Sequence, residues 1–132
     1  MTVVIDASAA VEIALNLGMK TAFLRTLEAT DLVLAPDTYP SEITNAFWKY
    51  AAFSGLDEAS CQDGIEGCLA LVDDFISTKE LCKEVFAEAA KRRHPAYDLF
   101  YLIAARRHGA SVVSRDKAML ALAKDLGLSA AT

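Results

Sequence analysis

The sequence has no CxxC pair, no excess of positive charge and no uncharged apolar run long enough to cross a bilayer. Each lack removes a class of function. Its three cysteines, Cys61, Cys68 and Cys82, are odd in number, and read as small core hydrophobes of a reducing compartment rather than as a disulfide or zinc framework. The only two histidines, His94 and His108, fall at predicted helix ends without the spacing of a zinc site. A net charge of −5 excludes a protein that coats nucleic acid through a general basic field. It leaves room for a nuclease in which a metal ion stands between carboxylates and phosphates. No apolar stretch reaches the ~18 residues of a membrane span. The N-terminus lacks a basic start and sets Asp6 and Glu12 inside its apolar stretch, so no signal peptide is expected and the expected location is the cytoplasm. Linkers, low-complexity tracts and internal repeats are also missing, which predicts a single domain over 1–132.

What is present is enough apolar material, 54% of residues, to fill a substantial core. Short unalternating runs at 2–6 (TVVID), 32–36 (LVLAP) and 111–114 (SVVS) read as strands covered on both faces, with a weaker one near Phe75 and Ile76. Helical patterns fill the gaps at 8–17, 20–30, 40–54, 57–72, 78–93, 95–108 and 117–126. Pro40 and Pro95 open two of them, Ser77 with Glu80 reads as a capping box for 78–93, and Gly109 ends 95–108. Ser8 reads as a cap of the first. Strands alternating with helices predict a three-layer α/β/α sandwich around a mostly parallel sheet of four to five strands, with chemistry gathered beyond the carboxyl ends of the strands. The last residues, LSAAT, would form a final edge strand or fray.

Asp6 poses a problem in that frame, because an ionised group at the end of a buried strand costs several kcal/mol unless paired, solvated or metal-bound. Asp116 likewise follows a strand, and Glu42 lies in the first turn of the helix after LVLAP. Asp98 opens a helix about 21 Å long that turns at Gly109, which returns its start to the same edge. Each acid alone could cap a helix or favour its positive end. Together, carboxylates a few Å apart repel and raise one another's pKa unless a cation intervenes. Oxygen-only ligands suit Mg²⁺ or Mn²⁺, and a bound metal can activate water and balance charge on a phosphodiester.

The segments IDASAAVEIAL, SEITNAFWK and AYDLFYLIAARRHGASVVSRDKAML resemble the successive motifs of PIN-domain nucleases, specifically the single-domain toxins of VapC-type toxin–antitoxin systems. The resemblance covers 1–128, and the last motif is the most specific. It implies a PIN-like fold and a Mg²⁺- or Mn²⁺-dependent endoribonuclease whose acidic site is Asp6, Glu42, Asp98 and Asp116. It further implies supporting roles for Ser8, Asn45 and Ser114, a homodimer, and a cognate antitoxin that fills the acidic groove. No acid of the pattern is missing, which favours an active enzyme.

Around the acids, Arg115 and Lys117 are candidates for contacting RNA phosphates, Arg115 the better of the two. The basic residues of KRRH at 91–94, with Arg106 and Arg107, read more readily as helix-dipole and surface charges. Trp48, Tyr50, Phe47 and Phe53 read as core or dimer surface rather than a base-stacking platform, and Tyr97, Phe100 and Tyr101 as core walls beside Asp98. Two other functions fit fewer features. One is a non-catalytic module whose acidic groove binds a basic peptide. The other is a phosphatase with Asp6 as nucleophile, for which Ser8 stands where a second Asp is usual.

Overall fold

Runs of Val, Ile and Leu that lack polar alternation can be strands only if both faces are covered, and the computed structural model, which describes residues 1–131, has that arrangement. Four strands, β1 (Thr2–Ile5), β2 (Leu32–Pro36), β3 (Asp74–Ile76) and β4 (Ser111–Val113), form one sheet in the order β3-β2-β1-β4. Every pairing is parallel, with Val3 opposite Val33 on one side and Val4 opposite Val112 on the other. Val3, Val4 and Ile5 are fully buried at the sheet's centre. Beyond β4, a single parallel bridge joins Val112 to Ala130. Of the two outcomes expected for LSAAT, a final edge strand or fraying, the described residues show a single bridge and no full strand, and Thr132 lies outside the described residues.

The helices are α1 (Ala7–Ala14), α2 (Lys20–Glu28), α3 (Tyr39–Ser54), α4 (Glu58–Ala70), α5 (Cys82–Arg92), α6 (Ala96–Arg107) and α7 (Lys117–Asp125). Right-handed crossovers put α1 to α4 on one face, since the chain steps from β1 to β2 to β3 in one direction. The return from β3 to β4 puts α5 and α6 on the other. The result is a mixed α/β fold with a parallel sheet flanked by helices, three layers deep. Its strand order reverses between β1 and β4, the kind of crevice where ligands bind in such sheets.

Local chemistry explains most of the boundaries. Asp6, Asp57 and Asp116 cap α1, α4 and α7, each accepting a backbone N–H of the first turn. Gly55 takes φ 68° to end α3. At Gly64 on α4 a Cβ would lie 2.4 Å from the Phe47 ring, so this close helix approach needs the missing side chain.

Several expectations need correction. The first helix starts at Ala7 and ends at Ala14, near Asn16 with φ 60°, rather than running over 8–17. Its cap is Asp6; Ser8 lies inside the first turn. The 78–93 helix is a 3₁₀ turn over Thr78–Glu80 followed by α5, and the Ser77 side chain makes no capping bond. Cys61 and Cys68 are buried on α4 as expected, but Cys82 is exposed at the start of α5. Tyr97 is no core wall: it is 79% exposed, while Tyr101 is 2% exposed. On α3, Phe47 is core, whereas Trp48 and Phe53 are exposed and meet edge to face at 5.7 Å.

Candidate acidic site

Asp6 leaves β1 and caps α1, so its carboxylate sits where the sheet's central strand meets a helix N-terminus. Oδ1 accepts from the Ala9 N–H at 3.0 Å and from Ser8 Oγ at 2.7 Å, and Oδ2 accepts from Ser114 Oγ. Only 4% of the residue is exposed. Burial raises its pKa above the usual carboxylate range against the three hydrogen bonds, and the nearby Asp116 charge raises it further.

Ser8 and Ser114 connect this acid to the next. The Ser8 hydroxyl also accepts from the Arg115 N–H at 2.9 Å, and the Ser114 hydroxyl accepts from the Asp116 N–H at 3.0 Å. The turn after β4 is thus tied to the turn after β1 by two serine hydroxyls. Asp116 is exposed, and its Oδ1 caps α7 through Ala118 and Met119 at 2.9 and 3.2 Å. Helix capping, the bland reading of both aspartates, is real; it uses Oδ1 in each case.

Glu42 and Asp98 form the other half, on helices from opposite layers. Glu42 stands in the first turn of α3 and accepts a 2.6 Å hydrogen bond from the Tyr101 hydroxyl on α6. Asp98 lies in the first turn of α6, three residues before Tyr101. Burial raises the pKa of Glu42, the tyrosine bond opposes it, and the charges of Asp6 and Asp98 add to the rise. Burial also raises Asp98, with the Asp116 charge adding and His94 opposing. The buried tyrosines Tyr101 and Tyr39 are pushed upward first by burial, with Asp6 contributing to both.

All four acids named from the sequence therefore fall within one another's field: Asp6 with Asp116 and Glu42, and Asp98 with Glu42 and Asp116. None of them forms an ion pair with a basic group among the described residues. Nor, among those residues, do three His, Cys, Asp or Glu side chains stand close enough together to hold a metal ion as placed. The acids share an edge and a field without forming a closed ligand cage.

The supporting residues divide. Ser8 and Ser114 touch Asp6 directly. Asn45 is exposed and makes no hydrogen bond to the acids; it lines an open cavity of about 400 Å³ along α3 with Glu42, Lys49, Tyr50 and Phe53. Arg115 reaches sideways to Glu12, Nε to Oε2 3.5 Å, and Lys117 is exposed as the first residue of α7. Arg92, Arg106 and Arg107 are engaged with Glu84 and Glu88. Tyr101 and Glu12 are the functional candidates that sequence reasoning missed. An aromatic and a lone acid in apolar helices carry no signal of their partners.

No protein-family model matches the chain, and neither does any curated protein. Among solved structures the chain is similar to the crystal structure of PAE2754 from Pyrobaculum aerophilum, at 23% identity, a TM-score of 0.76, and coverage of 99% of this chain and 84% of that one. At that identity the likeness is one of fold.

Proposed function

We propose that this protein is a metal-dependent endoribonuclease of the PIN-domain kind, acting as the toxin of a toxin–antitoxin pair. One observation carries the reading: four carboxylates gather at the carboxyl edge of a parallel sheet, like charge there helps raise the pKa of Asp6, Glu42 and Asp98, and none of the four has a cationic ion-pair partner among the described residues. Folding has concentrated negative charge without neutralising it, which leaves the charge for an external cation.

The donor chemistry fits Mg²⁺ or Mn²⁺, because every group offered is a carboxylate or hydroxyl oxygen. Asp6, Glu42, Asp98 and Asp116 would hold the ion, which supplies an acidified water and balances charge on the phosphodiester. The chain's own residues do the holding. Ser8 and Ser114 orient the Asp6 carboxylate through both of its oxygens, and Tyr101 fixes Glu42. Arg115 and Lys117 place positive charge beside the acids, where an RNA backbone would otherwise meet only repulsion. The RNA substrate, the antitoxin partner and the homodimer rest on the motif resemblance.

Cleavage of single-stranded RNA by the purified protein tests this. Activity with Mn²⁺ or Mg²⁺, lost on adding EDTA and regained on adding excess metal, is the expected outcome. An absence of cleavage across a broad RNA panel, with no calorimetric heat from Mn²⁺, overturns it and leaves the acidic groove as a surface for a basic peptide.

A further inference from the structure

Glu12 is a buried acid outside the four, 8% exposed on the apolar helix α1. Its Oε2 accepts the Met19 N–H at 2.9 Å, which fixes the carboxylate against the turn that follows α1. The same oxygen lies 3.5 Å from Arg115 Nε. The Arg115 backbone N–H is meanwhile bound to Ser8 Oγ, which itself donates to Asp6. The backbone of Arg115 is thus two hydrogen bonds from the Asp6 carboxylate, and its next residue is Asp116. Its side chain nevertheless ends one helical turn further along α1, since Glu12 follows Ser8 by four positions.

An arginine so placed has an obvious alternative. Its backbone adjoins Asp6 and Asp116, none of the four acids has an ion-pair partner among the described residues, and a guanidinium pairs with carboxylates bidentately. An internal cation in their midst would compete with a divalent ion for the same oxygens. We infer that Glu12 is a positioning residue that draws the Arg115 guanidinium along α1, keeping it out of the acidic site and on the rim. This rests on reading the four acids as a metal centre. It makes the Glu12–Arg115 pair matter for cation access even though, with Arg115 half-exposed and 3.5 Å away, the pair adds little to stability.

Mn²⁺ titration calorimetry on the metal-free wild type, Glu12→Gln, Arg115→Gln and the double variant tests the inference. Glutamine keeps an acceptor for the Met19 N–H and removes the charge that holds the arginine. Glu12→Gln is expected to weaken Mn²⁺ binding about fivefold when Arg115 is present and to have no effect when Arg115 is already glutamine. A role confined to holding the turn after α1 would instead weaken binding equally in both backgrounds. Equal weakening, or a Glu12→Gln protein that binds Mn²⁺ as the wild type does, overturns the inference and leaves the metal-centre reading intact. A wild type that binds no Mn²⁺ overturns both.

Discussion

At its C-terminal end α6 carries Arg106 and Arg107 into ion pairs with Glu84 and Glu88 on α5, at 2.6 to 3.1 Å. At its N-terminal end the same helix carries Asp98 into the field of Glu42 and Asp116, with no ion pair among the described residues. The consequences have opposite signs. Hydrogen bonds from the arginines hold the Glu84 and Glu88 carboxyls below their usual range, whereas burial and like charge hold Asp98 above it. Acids that serve packing are neutralised where they stand. Those at the strand ends are left without a cation, Asp6 and Glu42 oriented only by hydroxyls and a backbone N–H, which folding alone does not favour and metal binding would.

The sharpest way to break that comparison is to remove one charge from each end. Asp98→Asn preserves shape at the start of α6 and is expected to lower RNA cleavage by about 10²–10³-fold, the usual scale for losing a group that stabilises charge in the transition state. Glu84→Gln, at the other end, is expected to cleave at the wild-type rate. Comparable rates for Asp98→Asn and wild type, with unchanged circular dichroism, would erase the distinction and the nuclease reading with it.

A smaller effect is expected on stability, in the reverse pattern. Glu84 accepts from both Arg106 and Arg107, and its side chain is 29% exposed. Glu84→Gln is therefore expected to cost about 0.5–1 kcal/mol in urea unfolding at low ionic strength, shrinking in 1 M salt. Asp98→Asn should cost nothing or stabilise the metal-free protein, because it removes repulsion. A salt-insensitive loss at Glu84 would mean that its methylene packing, not its charge, joins the two helices.

How much of this was legible in the sequence follows from how far each signal reaches along the chain. Asp6 and Asp116 could be placed because an acid directly after an apolar run is a local pattern, and the parallel topology then brings both to one edge. Glu42 and Asp98 followed from helix direction alone. Tyr101 could not be paired with Glu42, since its partner is 59 residues away and its 2% exposure makes it core as well as hydrogen-bond donor. Tyr97 failed for a related reason: helical spacing places it on the Tyr101 side, but it is 79% exposed while Leu99 in the same turn is fully buried, and spacing alone does not say how far along a helix face the cover runs. Residue type alone marks Cys82 as core, and it does not show that a 3₁₀ turn over Thr78–Glu80 makes it the exposed first residue of α5. The PIN-specific part of the expected fold goes beyond the layers and strand order and stays with the motifs.

The smallest expected effect separates the two ends by the sign of their proton linkage. Native Asp98 keeps its proton to a higher pH than the unfolded chain, whose aspartates titrate near 3.8. Between those values the native state binds more protons than the unfolded one, so stability falls as pH rises through them. Glu84 runs the other way: its contribution is present above the unfolded value of 4.5 and is lost as pH falls through its lower folded value. Urea unfolding from pH 3 to 8, at constant ionic strength in EDTA, reads both. The stability gained by Asp98→Asn is expected to grow from near zero at the acid end to about 0.5–1 kcal/mol near neutrality, a range already discounted for solvent screening. The stability lost by Glu84→Gln is expected to disappear at the acid end. If the Asp98→Asn difference stayed flat across this range, Asp98 would titrate like an unfolded aspartate, and the like-charge repulsion on which the proposed cation site rests would be missing at Asp98.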